Sequence, residues 1–330
     1  MKIRPVLIAA AGLGLALVFA CCAGHDWASP GEVLRAIGGD NSLESRLLVT
    51  WRLPRALAAA LVGALLGLSG AIFQGVFRNP LAEPYLLGSS GGAAIGATVA
   101  LLAPIPMPSG LSLAVFSFAG AWGATWLVLA AASVGTRLDT SGLLLAGVAV
   151  AAVLGAARSF LMLALSDDAT NLQVALSWTL GGIQTPGPTG LAVLAAITAA
   201  MVVLALTLSR GLDLTTLGDE AARSGGMAPE RFSRIAILIA AATVAAAVAW
   251  GGLVAFVGLI APHVARWLAG GSHARLLPTS ACVGAIIVAV CDGLARSVLP
   301  PAEIPLGLIT ALAGGPFFLL LLRRRGRQMV

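Results

Sequence analysis

The chain reads as long apolar runs separated by short polar punctuation. Runs of about spanning length fall at 5–24, 54–76, 86–104, 111–134, 141–165, 189–209, 235–250, 253–268, 276–295 and 305–322. A membrane helix needs roughly 20 predominantly apolar residues, so the pattern predicts an all-α polytopic membrane protein with about ten transmembrane helices. The stretch 235–268 is too long for one ordinary span, and Gly251-Gly252 supplies the natural break. Short amphipathic pieces at 29–50 and 170–182 belong in loops. The whole chain, 1–330, reads as a single transmembrane domain without a linker.

Charge sets the orientation. Fourteen basic residues (Lys2, Arg4, Arg78, Arg137, Arg210, Arg223, Arg231, Arg234, Arg266, Arg275, Arg323, Arg324, Arg325 and Arg327) fall on one side of a ten-span layout. Arg35, Arg46, Arg52, Arg55, Arg158 and Arg296 fall on the other. The positive-inside rule then gives N-in and C-in. Lys2 and Arg4 ahead of an apolar run ending in VFACC also resemble a signal peptide; the run's length favours an uncleaved first span.

Two internal patterns concern packing. Spans two to five and seven to ten form four-helix blocks, each preceded by an R-x-x-R pair (Arg52/Arg55 and Arg231/Arg234). A repeat of this kind is inverted in topology. Gly63-xxx-Gly67 and Gly92-xxx-Gly96 put small residues on one helix face, which suits close helix packing within the chain or a dimer seam.

Composition excludes several classes. With 58% hydrophobic and 10% charged residues, too little polar surface remains for a soluble domain. The net charge of +6 is spread over short loops, which argues against nucleic acid as a partner. Lys2 is the only lysine, so no phosphate-binding P-loop can be written, and any ATP must be hydrolysed on a partner. Cys21, Cys22, Cys282 and Cys291 form no CxxC pair, so neither a metal site nor a resident cofactor is expected.

The segment 210–234 is charged with both signs while its neighbours are almost charge-free. LTTLGDEAARSGG reads as a short helix capped by Thr215 or Thr216 and stopped by Gly225-Gly226, with a second short helix after Pro229. Such a knob suits either a docking site for a soluble engine or a solvated connector, and the residues alone leave both open.

The motifs together decide between them. Beside Leu217 to Gly226 (LGDEAARSGG) stand Arg52 to Arg55 (RLPR), Ser69 to Gln74 (SGAIFQ) and Arg78 to Pro84 (RNPLAEP). Leu143 to Ala149 (LLLAGVA), Phe256 to Arg266 (FVGLIAPHVAR) and Ala302 to Leu322 complete the series. Nearly the whole sequence resembles the FecCD-type permease subunit of type II ABC importers for iron-siderophores, haem or cobalamin. The usual Leu before the final Gly of the first motif is Ser224-Gly225 here.

That resemblance implies a homodimer in the bacterial cytoplasmic (inner) membrane, two cytoplasmic ATP-binding subunits carrying ATP and Mg, and a periplasmic substrate-binding protein. It implies ATPase coupling through Leu217, Gly218, Asp219, Glu220, Arg223, Gly225, Gly226 and Met227. Arg52, Arg55 and Arg296 would grip carboxylates of the binding protein, or else anchor helix ends at head-group level. Thr140 and Ser141 would form a cytoplasmic gate. The chain itself is then a transport subunit and not an enzyme.

Arg158 falls near the outer end of the fifth run. Facing lipid at mid-bilayer would cost roughly 2.5–3.5 kcal/mol, so it should face protein, a water-filled path or the head groups. Contact with an anionic substrate and a salt bridge to Asp167 or Asp168 are both open. Two rival classes remain. An ion-coupled secondary transporter usually carries a mid-span carboxylate, whereas Glu83, Asp292 and Glu303 all read as lying near span ends. Gly88-Ser89-Ser90-Gly91 with His263 resembles the pairing of a rhomboid-like intramembrane serine protease, but His263 sits in a Pro-His turn and the ten-span layout is wrong.

Overall fold

The computed structural model describes residues 4–132, 140–165 and 169–326, and among these every regular element is helical. In chain order they are α1 (Arg4–Cys22), α2 (Pro30–Ile37), α3 (Leu43–Leu47), α4 (Leu53–Val76), α5 (Ser89–Leu102), α6 (Ser109–Ala132), α7 (Thr140–Leu165), α8 (Ala169–Thr179), α9 (Pro188–Thr216), α10 (Asp219–Ser224), α11 (Pro229–Gly251), α12 (Val257–Ala269), α13 (His273–Ser297) and α14 (Leu306–Gly326). Each of the ten apolar runs holds one helix. The expected loop pieces are α2, α3 and α8, and α2 opens with a reciprocal Ser29–Glu32 capping box.

Six of the apolar helices are long enough to cross a bilayer by length and composition. Of the other four expected spans, α5 and α12 fall furthest short. α5 has 14 residues and α12 has 13, about 20 Å each, well short of the roughly 30 Å hydrocarbon core. Both are preceded by unwound chain. Before α5, Arg78 adopts φ 50°, the Asn79 side chain accepts the Leu81 amide at 3.0 Å, Pro84–Leu87 forms a single 3₁₀ turn, and Gly88 (φ 74°) redirects the chain into α5. Before α12, the chain leaves α11 through Gly252 (φ 64°) and enters the helix at Phe256 (φ 66°), a conformation unusual for a bulky residue.

These two unwound segments meet inside the protein. The Glu83 carboxylate accepts the Phe256 amide at 2.8 Å, and the Tyr85 hydroxyl accepts the Val254 amide at 3.2 Å. Pro84 packs on Gly258, and Gly258 in turn lies on the backbone of α4 at Leu66 and Gly70. Those two residues are ten and six positions before the end of α4, about 9–15 Å in from that end. Glu83 is therefore set well inside the helix bundle and not at a span end as its sequence position suggested.

The packing has the exchange symmetry that an inverted repeat requires. α4 packs on α13 as α11 packs on α6; α5 packs on α6 as α12 packs on α13; α4 meets α12 as α11 meets α5. Swapping α4–α7 for α11–α14 thus reproduces the contact pattern. The glycine pairs serve contacts inside the chain. A Cβ on Gly63 would collide with the Gly284 carbonyl, and one on Gly67 with the Ser280 carbonyl; Gly92 and Gly96 meet α6 at Gly120 and Phe116 in the same way. Ser280 also donates its hydroxyl to the Gly67 carbonyl at 2.7 Å. The dimer-seam reading of these motifs is thereby overturned.

Gly63→Ala should force α4 away from α13 and destabilise the protein by about 1–3 kcal/mol. Gly123→Ala, where added bulk meets nothing within 4 Å, should be neutral. Thermal unfolding in detergent checks the pair, and equal melting temperatures would contradict the packing described.

Candidate functional site

Functional side chains gather at the two ends of the bundle. At the end opposite the arginine-rich face, a π-helical stretch Leu48–Arg52 leads from α3 into α4 and brings Arg52 and Arg55 beside the end of α13. A cavity of about 260 Å³ lies there, lined among others by His25, Arg52, Arg55, Arg296 and Glu303. The structure thus brings the three expected outer arginines together, with roles that differ.

Asp292 is fully buried in α13. It receives Arg296 Nε at 3.0 Å and Arg55 at 3.1–3.2 Å, and Arg55 also forms a two-pronged pair with Glu303 at 2.9 and 3.1 Å. Arg296 also donates to the Ala20 and Ala23 carbonyls at 2.8 and 3.0 Å. Arg52 bonds the Cys22 and Asp26 carbonyls at 3.2 and 2.6 Å. The last carbonyls of α1 have no partners within their own helix, and cationic side chains suit that end of the dipole. Arg52 and Arg296 therefore cap α1.

Arg296, also expected to grip a partner, is 7% exposed and bonded to Asp292 and the end of α1. Arg55 stays partly open, at 17% exposure, beside an exposed Glu303. Asp292 lies five residues before the end of α13, near a span end as expected, and there it is a buried internal counterion. Sequence spacing carried one usable sign of this, the four-residue interval from Asp292 to Arg296 on one helix face.

The opposite end carries the charged connector. α9 continues to Thr216, and Thr215 and Thr216 bond back to the Leu212 and Asp213 carbonyls at 2.8 and 2.6 Å. They do not cap the short helix as the sequence suggested. The cap position of α10 is Gly218, whose φ 106° and ψ 157° are essentially open to glycine alone. Gly225 and Gly226 end α10 as expected, with only Gly226 at positive φ (80°). Met227 closes the turn by donating its amide to the Ala222 carbonyl at 3.1 Å. The second short helix after Pro229 is in fact the start of α11.

α10 is held by ion pairs. Asp219 bonds Arg78 of the α4–α5 segment, and Arg223 reaches Glu230 at 2.6 Å. Leu217 is 71% exposed at the turn, and Glu220 and Arg223 are exposed on α10. The result is a short, charged helical knob.

Arg158 is half-buried and donates to the Thr179 hydroxyl at 3.2 Å, tying α7 to the end of α8. Its alternative partners Asp167 and Asp168 lie outside the described residues. Thr140 opens α7; the side chains of Thr140 and Ser141 lie outside the described part of the structure. The Ser89 hydroxyl is buried and donates to the Pro84 carbonyl at 3.2 Å, while the His263 ring packs edge-on against Trp267 and Phe317. Neither side chain is arranged as a protease pair.

A polytopic helical shell whose glycine-packed repeats enclose two unwound segments, and whose one face carries a charged helical knob, is the framework of a membrane transport permease. The chain belongs to the FecCD transport family, whose model matches residues 12–324. It is 39% identical to the hemin transport system permease protein HmuU of Yersinia pestis, over 84% of this chain and 83% of that one. It is 37% identical to the Fe(3+) dicitrate transport system permease protein FecD of Escherichia coli, over 84% and 85%. A solved metal-chelate type ABC transporter in an inward-facing conformation superposes with a TM-score of 0.83 at 28% identity, covering 98% of this chain and 99% of that one. The fold is that of a type II ABC importer permease, and the chain is a transport subunit rather than an enzyme.

Removing one member of the buried charge cluster should be costly. Arg296→Met leaves Asp292 with Arg55 alone and removes one of the two arginine caps of α1, and should destabilise by about 3–5 kcal/mol. Glu303→Gln, at the exposed end of the cluster, should cost less than about 1 kcal/mol. Unfolding midpoints of the two variants check the ranking, and a reversed order would refute the assignment.

Proposed function

We propose that this chain is the permease subunit of a binding-protein-dependent ABC importer that moves an iron-siderophore, haem or cobalamin-type substrate into the cytoplasm. All of residues 1–330 form its transmembrane domain, in the bacterial inner membrane, with both termini inside. Two copies enclose the pathway, two ATP-binding subunits with ATP and Mg sit on the arginine-rich face, and a periplasmic binding protein docks opposite. The chain supplies no bond chemistry. It alternates between outward- and inward-open states, and its partners bias that equilibrium by binding one state better than the other.

The observation that carries this reading is the α9–α10–α11 connector. An engine that hydrolyses ATP on a separate chain needs a rigid handle, and here glycines at both ends of α10 and ion pairs to Arg78 and Glu230 fix one. With Lys2 as the only lysine, hydrolysis belongs to the partner. Thr140 and Ser141 serve as the inner gate, and Arg158 faces the pathway. A second carboxylate-bearing path for ions has a single candidate among the described residues, Glu83, and its carboxylate is engaged with the Phe256 amide.

The coupling test uses the two positions that demand glycine. Gly218→Val and Gly226→Val place a β-branched residue at positive φ, and should each abolish most uptake and ATPase-subunit pull-down while the protein still inserts. Gly225→Ala, at an ordinary φ, should retain both. Full transport by the Gly218 and Gly226 variants would remove α10 as the docking element.

Docking of the binding protein rests on Arg55 and, at the rim, Arg52. Arg55→Glu should weaken association by about tenfold or more, and wild-type affinity should fall with added salt as the exposed part of the contact is screened. Binding in nanodiscs at two ionic strengths is the measurement. Affinity indifferent to both changes would leave these arginines with helix capping and charge balance only.

A further inference from the structure

Arg55 holds two carboxylates of unequal standing. On its buried side, Asp292 has no exposed surface, lies 3.1–3.2 Å from Arg55 and also receives Arg296 Nε at 3.0 Å. On its open side, Glu303 meets the guanidinium fork with both oxygens, at 2.9 and 3.1 Å. The Glu303 side chain is 53% exposed and that of Arg55 only 17%. Opening a buried ion pair strands a charge away from water. An exposed pair contributes little net stability, because water takes over both partners when they part. Arg55 is therefore fixed by Asp292 and capped by a carboxylate that can leave.

The surroundings of Glu303 suit such an exchange. It stands in the connector 298–305 between α13 and α14, which is pinned just beyond it by the Ile304 amide donating to the Ala295 carbonyl at 3.0 Å. Among the described residues the Glu303 carboxylate bonds only Arg55, so its side chain can turn away without breaking another contact. Beside the pair lies the cavity of about 260 Å³, whose wall includes Trp51, Arg52 and Thr185. A water molecule takes up about 30 Å³, so the space admits a side chain the size of aspartate or glutamate. Arg52 adds a second guanidinium that bonds two main-chain carbonyls and has no carboxylate partner among the described residues.

We propose that Glu303 is a stand-in for an acidic side chain of the periplasmic binding protein. In the free permease it occupies the Arg55 fork. On docking, one aspartate or glutamate of the partner enters the cavity and replaces it, while Asp292 keeps Arg55 in place. This rests on the docking of a binding protein proposed above and adds what selects that partner. A carboxylate that does not reach the fork meets an arginine already satisfied, so a merely acidic surface gains little. Discrimination by an internal competitor of this kind works against wrong partners as well as for the right one.

The test compares Glu303→Gln with Glu44→Gln, which removes the same charge from an exposed position of α3 on the same face. Both are made in the full-length permease in nanodiscs. Without any partner, phenylglyoxal labelling mapped by peptide mass spectrometry should modify Arg55 about threefold faster in Glu303→Gln than in wild type. With the purified periplasmic binding protein, Glu303→Gln should tighten docking by about threefold. Glu44→Gln should do neither. Docking weakened or unchanged by Glu303→Gln, or tightened no more than by Glu44→Gln, overturns the exchange, as does labelling of Arg55 that ignores Glu303→Gln. Arg55→Lys keeps the charge beside Asp292 but loses the fork, and it separates the two levels. Docking weakened by Arg55→Lys with no gain from Glu303→Gln refutes the exchange and leaves Arg55 as the docking residue. Docking indifferent to Arg55→Lys removes the docking reading itself, and the exchange with it.

Discussion

Backbone that leaves a helix inside a bilayer must find its hydrogen bonds within the protein, because lipid offers none. The centre of this chain depends on one answer to that constraint. Glu83 and Tyr85, on the segment entering from the arginine-rich side, accept the amides of Phe256 and Val254 on the segment entering from the other. The first unwound stretch thereby satisfies two backbone donors of the second. Because both are short of a full span, their helices α5 and α12 occupy only part of the depth, and the bundle closes around them through glycine contacts of α4 with α12 and α13. The outer end of the same region is sealed by backbone alone: Gly182 bonds the Gly251 carbonyl, and Leu306 and Gly307 bond the Gly181 and Leu180 carbonyls.

How much of this was legible in the sequence follows from range. The positions of all ten apolar helices were, because hydropathy is a local property. So were the break at Gly251-Gly252 and the stop at Gly225-Gly226. The depth of Glu83 was not: a Pro-flanked polar cluster looks the same in a surface turn and in a segment folded back into the bundle. The caps assigned to Thr215 and Thr216 failed because α9 runs on past its apolar run, and a helical threonine bonds its own preceding turn instead. The charge cluster was legible only in its local part. Asp292 and Arg296 share a helix face, while Arg55 and the ends of α1 arrive from 237 to 276 residues away.

The two faces of the bundle use charge differently. On the face with Arg55, cations and carboxylates are matched inside the protein, so the cluster has one exposed end and little freedom. On the arginine-rich face, Arg210 and Arg266 have no carboxylate partner among the described residues, and both line a cavity of about 980 Å³.

The capping of α1 has a consequence for how the protein is made. Helix α1 is synthesised first, yet the donors that satisfy its last carbonyls come from Arg52, just ahead of α4, and from Arg296 near the end of α13. The Cys22 carbonyl is met early by Ala28 and Arg52, but the Ala20 and Ala23 carbonyls wait for Arg296 until almost the whole chain has left the ribosome. Final seating of α1 is then a late event in biogenesis, and a quality-control protease would meet a truncated chain with its N-terminal helix still unanchored.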